Sequence, residues 1–238
     1  MLVLGIETSS TQVSCAIGGY EGVRAAAQVN RDQRHAELLA PMIAQVCRAA
    51  DVRYRDLGAI AVGVGPGLFT GLRVGLATAK AMALALRIPM IGVGSLDLLA
   101  FPVRLSPRTI VAVMDARRSE VFAASYRATP GGLQRLDEAA VWSPLELAGE
   151  LDAHADGPHL LVGDGALRYA EHFADLKGVE LADRALAHPS AWALVQLAHA
   201  QAVREEFVAP EEIHPTYLRK PDAEANWVQR PGSAGGPA

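Results

Sequence analysis

The chain is poor in the residues that mark an oxidised, nucleic-acid-binding or membrane protein. Its 238 residues include only two cysteines, Cys15 and Cys47, which are too few and too far apart for a disulfide framework or a metal site, so buried thiols are expected. The formal net charge of −4 argues against a basic face that holds nucleic acid without a partner. No basic segment precedes the first apolar run, which Glu7 interrupts, and no uninterrupted apolar stretch approaches a membrane span. We therefore expect a reduced, cytoplasmic protein.

The sequence also lacks the motifs of the commonest nucleotide and hydrolase sites. The glycine turn Gly63–Gly67 is not followed by Gly-Lys-Ser/Thr, and no register completes Gly-x-Gly-x-x-Gly. No Gly-x-Ser-x-Gly elbow occurs. His35 and Glu37 share the start of a predicted helix, where capping and surface roles are commoner than acid–base catalysis, and the other histidines show no metal-ligand spacing. These motifs therefore indicate no catalytic or metal site.

Apolar residues make up 50% of the chain, enough for a substantial core, and their spacing predicts alternating strands and helices. The predicted strands are Leu2–Glu7, Gln12–Ile17, Gly22–Val29, Ala59–Val64, Met90–Val93, Thr109–Met114, Glu120–Arg127 and Leu160–Val162. The predicted helices are His35–Ala50, one capped by Thr70 that runs to Leu86, Leu96–Phe101 capped by Ser95, Pro144–Leu151 and Ser190–Glu205. This order requires a sheet with both parallel and antiparallel pairs.

The segment from Gly63 to Lys80 is the most distinctive part of the sequence. Its turn glycines either let backbone N–H groups approach an anion or allow tight packing of a strand on a helix. The helix that follows carries a row of small residues spaced four apart: Gly71, Gly75, Ala79 and Ala83. Such a row permits close approach of another helix or of the chain's own sheet. The sequence leaves both alternatives open.

A strand, a polar turn and a returning strand occur twice, once at Glu7 and once at Asp115, which predicts two related halves. The proline-containing segment Pro102–Pro107 lies between them. We therefore predict one lobe over residues 1–103 and a second, reduced lobe over residues 104–220, whose last helices could pack back on the first. Residues 221–238 are short of apolar residues and are predicted to be a disordered tail.

Five motifs, taken together, resemble the TsaB family, the accessory subunits of the bacterial machinery for tRNA threonylcarbamoyladenosine. They are Leu4–Ser10, Arg34–Pro41, Gly65–Arg73, Ile91–Gly94 and Met114–Arg118. The resemblance extends over residues 2–220 in order and spacing. It implies an α/β, two-lobed fold of the actin, hexokinase and heat-shock ATPase type, with a mixed five-stranded sheet and helices in each lobe.

The resemblance also implies a function without catalysis. A member of this family is expected to dock on the catalytic subunit TsaD, which transfers threonylcarbamoyl to the adenosine next to the anticodon, and to meet the pathway ATPase TsaE and tRNA indirectly. Alone, the same surface is expected to form a homodimer. The expected interface lies on the two helices that begin near His35 and Gly71. Its residues are Leu38, Met42, Gly71, Gly75, Ala79, Met82 and Ala83.

The metal ligands of TsaD have no counterpart in this chain. TsaD resembles a metal-dependent transferase with a His-x-x-x-His pair after an Ile-Gly-Val-Asn run. The corresponding run starts at Ile91 and places Ser95 and Leu99 at the two histidine positions. Leucine offers no lone pair, and one hydroxyl does not replace an imidazole. No metal is therefore expected.

Glu7, Asp115, Gly163 and Gly165 fall where ATPases of this fold carry their phosphate-facing and adenosine-facing turns. The turns differ from the ATPase pattern, because no glycine follows either carboxylate and Arg117 follows Asp115 closely. An arginine there either fills the space of a phosphate or contacts one. Weak, vestigial binding of ATP or ADP, without a required cofactor, is therefore the expectation. An ATPase or small-molecule kinase is the alternative function, and a metallopeptidase is a third reading that the missing histidines oppose.

Overall fold

The computed structural model describes residues 1–31, 34–153 and 157–219, which form two β-sheets with helices on their faces. The predicted disordered tail, 221–238, lies outside the described residues. The predicted α/β, two-lobed architecture is confirmed.

The first sheet is built from five strands in the spatial order β3-β2-β1-β4-β5. These are β1 Leu2–Glu7, β2 Gln12–Gly19, β3 Gly22–Asn30, β4 Leu57–Gly65 and β5 Met90–Gly94. The first three strands pair antiparallel as a meander, whereas β4 and β5 run parallel to β1. Strands β1 and β4 read as continuous apolar runs because helices cover both faces of the sheet at its centre.

Helices α1, His35–Ala49, and α2, Phe69–Leu86, pack on one face of this sheet, and α6, Ala191–Val203, packs on the other. Pro41 lies inside α1 without ending it. By length and composition alone α2 is long and apolar enough to cross a membrane, although Arg73 and Lys80 interrupt its apolar sequence. Its buried residues pack into the core of the first sheet, and its other side chains are partly or fully exposed.

The second sheet has six strands rather than the predicted five. Its strands are β6 Thr109–Arg117, β7 Glu120–Thr129, β8 Gly132–Arg135, β9 Ala140–Trp142, β10 His159–Val162 and β11 Val179–Leu181. Five of them follow the order β11-β10-β6-β7-β8, and the short β9 pairs with the part of β7 that β8 leaves open. The ten-residue β7 is long enough to hold two short partners along one edge, and three-residue strands escape periodicity analysis.

Two short helices, α4 Pro144–Ala153 and α5 Asp164–Arg168, accompany the second sheet, and α3, Ser95–Ala100, joins the two sheets. Leu96 and Leu99 of α3 belong to the core of the second sheet, while Leu98 packs with the first sheet and α6. The Asp97 carboxylate accepts hydrogen bonds from the Tyr126 hydroxyl at 2.9 Å and from Arg135 at 2.6 Å, both on the second sheet. The predicted boundary at residues 103 and 104 stays a prediction: α3 contacts strands of both sheets, and α6, which follows the second sheet in the chain, packs on the first.

Three local predictions from the sequence are wrong. Thr70 and Ser95 are helical residues rather than caps, because the cap positions are Leu68 and Gly94. The turn predicted at Asp115 does not form there, since β6 continues to Arg117 and the chain reverses beyond it. The hairpin instead uses positive φ angles at Arg117, Arg118 and Ser119. Non-glycine residues rarely adopt this conformation, so none of these three residues indicates a left-handed turn.

Candidate functional site

The β1–β2 turn lies between the starts of α1 and α2, which hold it through buried hydrogen bonds. The Thr8 hydroxyl donates to the Gly71 carbonyl at 2.8 Å, and the Leu68 N–H donates to the Ser9 carbonyl at 2.7 Å. From the α1 side, His35 Nε2 lies 2.8 Å from the Ser10 carbonyl oxygen. The turn is therefore a junction that fixes both helices to the end of β1.

The small-residue row of α2 faces this junction and the first sheet. A Cβ atom added at Gly71 would collide with the Thr8 carbonyl, and one added at Gly75 would collide with the Thr8 hydroxyl. Ala79 and Ala83 are completely buried in the core of the first sheet. The prediction that this row meets a partner is therefore wrong, and close packing within the chain, the other alternative, accounts for it. Met42 is also a core residue, at 5% exposure.

Of the predicted interface residues, only Leu38 and Met82 are partly exposed; they pack against the rim of the same core. The outer surface of the helices is formed by a neighbouring stripe that sequence reasoning missed. It consists of Thr70, Arg73, Ala77, Ala81, Leu84 and Ala85 on α2, with Ala40 and Pro41 on α1, and we call it the alanine face. Leu84 is 54% exposed. Alanine occurs on both the buried and the exposed sides of α2. The positions of small residues in the sequence therefore did not show which side of the helix is buried.

A cleft of ≈ 390 Å³ opens between the two sheets. Its walls include the β1–β2 turn, the end of β3, the end of β6 and the start of α5. The lining residues are Ser9, Ser10, Thr11, Asn30, Leu68, Met114, Asp115, Arg117, Asp164 and Arg168. The cleft therefore brings Asp115 together with the Gly163–Gly165 segment, as the sequence predicted, but not with the carboxylate of Glu7.

Asp115 is held by several donors on the second-lobe wall. One carboxylate oxygen accepts the Arg117 N–H at 3.0 Å and lies 3.4 Å from the Tyr169 hydroxyl. The other lies 3.6 Å from the Arg117 guanidinium and 3.7 Å from that of Arg168. The side chain of Asp115 is only 7% exposed, whereas both arginines are about half exposed. Asp115 thus carries two cationic partners from its own lobe.

Asp164 and His188 extend this arrangement across the cleft. Asp164 accepts the Asp115 N–H at 3.0 Å, and its other oxygen lies 3.8 Å from His188 Nδ1. His188 Nε2 lies 2.9 Å from the Asn30 amide nitrogen at the end of β3. Burial raises the pKa of Asp164 and lowers that of His188, and each effect is opposed by the attraction between the pair. His188 was not singled out from the sequence because it lies far along the chain from both partners.

Glu7 is enclosed beneath the β1–β2 turn rather than on the wall of the cleft. One oxygen accepts the Ser9 N–H at 2.6 Å, and the other packs against Gly63 without a hydrogen-bond partner. Gly63 must lack a side chain, because a Cβ atom there would overlap this carboxylate. Burial raises the pKa of Glu7. The residue is therefore a buried acid of the first lobe.

Gly163 and Gly165 serve the packing of the second lobe. Gly163 has a φ of +126°, and a Cβ atom there would collide with the Val113 carbonyl. One at Gly165 would lie 2.8 Å from the Met114 carbonyl carbon. Both glycines thus let α5 approach the backbone of β6.

Ser95 and Leu99 are buried in the interior, and no cluster of three or more histidine, cysteine, aspartate or glutamate side chains able to hold a metal occurs within residues 1–31, 34–153 and 157–219.

The fold and this cleft define a two-lobed protein of the actin-like class. The solved structure of the ethanolamine utilization protein EutJ from Carboxydothermus hydrogenoformans shares the fold alone, with a TM-score of 0.50 at 12% identity over 83% of this chain and 90% of that chain. A family model described as TsaD, tRNA N6-adenosine threonylcarbamoyltransferase, matches residues 29–227. The chain therefore belongs to this family.

Two relatives are similar over nearly their whole length. The tRNA threonylcarbamoyladenosine biosynthesis protein TsaB of Escherichia coli is 28% identical over 98% of this chain and 99% of its own. The solved structure of YeaZ from Pseudomonas aeruginosa is 28% identical and has a TM-score of 0.80, covering 91% of this chain and 99% of that chain. The resemblance to TsaB that the motifs indicated is confirmed.

Proposed function

We propose that this chain acts in the formation of threonylcarbamoyladenosine in tRNA as a non-catalytic partner of a TsaD-type transferase. The likeness to TsaB over the whole chain supports the pathway. The observation that carries the non-catalytic role is the environment of Ser95 and Leu99, the positions of the two metal-binding histidines that the resemblance assigns to TsaD. Both side chains are buried in the protein interior, where neither can ligate a metal that also reaches a substrate.

The alanine face supports docking through α1 and α2. Between Ala77 and Ala85 its alanines leave the helix backbone accessible, so a partner helix can approach closely there and bury apolar surface, while Arg73 lies toward the start of the helix. The position of α2 is held from its buried side, because Gly71 and Gly75 pack directly on Thr8. The TsaD-type subunit is the proposed partner in the cytoplasm. A second copy of the chain takes its place when the protein is alone, TsaE joins the assembled pair, and tRNA contacts the pair mainly through TsaD.

Replacing Ala77 by arginine tests the docking surface. The variant places a long cation in the middle of the alanine face, and we expect affinity for TsaD from the same host to fall about tenfold to hundredfold. Isothermal titration calorimetry measures the affinity, and thermal unfolding should be unchanged because Ala77 is exposed. Ala200→Arg, on the exposed side of α6, is the matched control and should bind as the unaltered chain does. Unchanged affinity of Ala77→Arg would move the interface away from this face.

The non-catalytic role has its own assay. The chain mixed with tRNA and threonylcarbamoyl-adenylate should yield no modified adenosine, and modification should appear when TsaD and the pathway ATPase are added. Mass spectrometry of tRNA digests measures the product. Modification by this chain alone would refute the proposal, whatever the outcome of the docking experiment.

A further inference from the structure

Actin-like ATPases hold a nucleotide and its metal between their lobes, and the residues of this cleft do not fit that group. The first-turn carboxylate, Glu7, is completely buried and directed at Gly63, so it cannot reach a hydrated cation in the cleft. The glycines of the adenosine-facing turn, Gly163 and Gly165, are already in close contact with the backbone of β6. Neither leaves open backbone on which a nucleotide could lie.

The remaining carboxylate of the pattern, Asp115, already has positively charged partners within this chain. The guanidinium groups of Arg117 and Arg168 approach the same oxygen from two elements, β6 and α5, at 3.6 and 3.7 Å. A hydrated Mg²⁺ at this carboxylate would have to displace both cations. The two arginine side chains therefore lie where a metal ion and a nucleotide phosphate would otherwise bind.

Polar side chains then approach one another across the cleft, where His188 Nδ1 faces the Asp164 carboxylate without a hydrogen-bond partner among the described residues. His188 belongs to the first-lobe side, because the next residues of its segment are tied to β2. The Gln12 amide donates to the Pro189 carbonyl at 3.2 Å, and the Ala191 N–H donates to the Ser14 hydroxyl at 3.0 Å. From there His188 faces Asp164 of the second lobe at 3.8 Å.

We propose that a polar clamp, formed by Asn30, His188, Asp164, Asp115, Arg117 and Arg168, spans this cleft and holds its two walls at a fixed separation. The clamp joins the end of β3 in the first lobe to the end of β6 in the second. It takes the place of the nucleotide that joins the lobes of related ATPases, so the relative orientation of the lobes is a property of the chain and not of a ligand. The partner subunit therefore meets a protein whose lobes already have a fixed relative orientation.

Distances between spin labels on the two lobes test the clamp. Tyr20, at the β2–β3 hairpin and 91% exposed, and Gln134, exposed on β8, are suitable label sites after replacement by cysteine. The two native cysteines are buried. Pulsed electron resonance should give one narrow distance distribution for the otherwise unaltered chain, with no change on adding millimolar ATP and Mg²⁺. Asp164→Ala and His188→Ala should each broaden the distribution or shift it to longer distances.

His172→Ala is the matched control, since His172 is a partly exposed histidine beside Glu171 at the surface. It should retain the narrow distribution. If Asp164→Ala fails to fold, His188→Ala carries the comparison by itself, because it removes the partner of Asp164 from the first-lobe side. A shift of the unaltered chain with ATP and Mg²⁺, or an unchanged distribution in the folded clamp variants, would overturn the proposal.

Discussion

The same strand–turn–strand unit occurs in each lobe, and the two turns lie in opposite environments. In the first lobe, Thr8, Ser9 and Ser10 are buried because α1 and α2 both begin against the turn. In the second lobe, Arg118 and Ser119 are exposed at a hairpin tip that no long helix covers. The first turn joins helices to a sheet, and the second forms a polar wall of the cleft.

The first strand of each lobe carries a carboxylate near its end, and the environments of these two carboxylates differ in the same way. Glu7 of β1 is enclosed without a cation, whereas Asp115 of β6 has two arginine neighbours. Equivalent positions in a repeated unit thus need not share a chemical role. The packing around each turn decides whether its carboxylate is enclosed in the core or lies beside arginines at the cleft.

The largest effect should come from crowding the first turn. Gly75→Leu forces a side chain into the Thr8 hydroxyl, and we expect it to lower the free energy of unfolding by about 3 kcal/mol, at the upper end of overpacking costs. Chemical denaturation followed by circular dichroism measures the change. Ala77→Leu, two residues along the same helix and exposed, is the control and should cost little. Equal stability of the two variants would place the buried row of α2 elsewhere.

An intermediate effect should appear in the pH dependence of the free energy of unfolding, to which Glu7 contributes. Burial raises its folded-state pKa above the ordinary value of 4.5, so folding favours the protonated acid. Its contribution to stability is fully present below about pH 4.5 and is lost as the pH rises through the raised pKa. Glu7→Gln keeps the shape and removes the titration. Relative to the unaltered chain, this variant should gain roughly 1–3 kcal/mol between pH 4 and pH 8.

Denaturant midpoints at a series of pH values measure this gain. Glu37→Gln, which changes an exposed carboxylate on α1, is the control for a general charge effect. Parallel pH profiles for Glu7→Gln and the unaltered chain would show that the first turn holds its carboxylate in a water-like environment.

The smallest effect should come from the second turn. Ser119 has a φ of +58° and is exposed, so glycine relieves a backbone conformation that disfavours other residues. The greater entropy of unfolded glycine offsets part of this relief, and we expect Ser119→Gly to raise the free energy of unfolding by about 0.5 kcal/mol. Thermal unfolding measures it. A loss of stability would mean that the Ser119 side chain contributes to the hairpin.

Much of the fold was predictable because most elements carry strong apolar periodicity. Strands such as β1 and β10, and helices α1, α2 and α6, agree with their predicted positions to within a few residues. The short strands β8, β9 and β11 and the hairpin beyond Asp115 were missed. A three-residue strand shows no period, and three successive left-handed residues without glycine follow no turn rule.

The candidate site was predictable only in part. The sequence indicated Asp115 and the Gly163–Gly165 segment as neighbours, and the structure places both at the end of β6. It did not indicate His188 or Arg168, because their partners lie on other elements. The row beginning at Gly71 was recognised, but its direction was not: glycine and alanine permit close approach equally well toward a sheet and toward a partner.

Residue identity and order were enough to assign the family, and they predicted two related halves and the absence of a histidine pair at Ser95 and Leu99. The packing in three dimensions was needed to show which side of α2 is buried, that Glu7 is enclosed under its turn, and that Asp115 and His188 both approach Asp164. Those outcomes depend on distances between residues far apart in the chain. Local patterns fix the elements, whereas the packing of helices on two sheets fixes what each polar side chain meets.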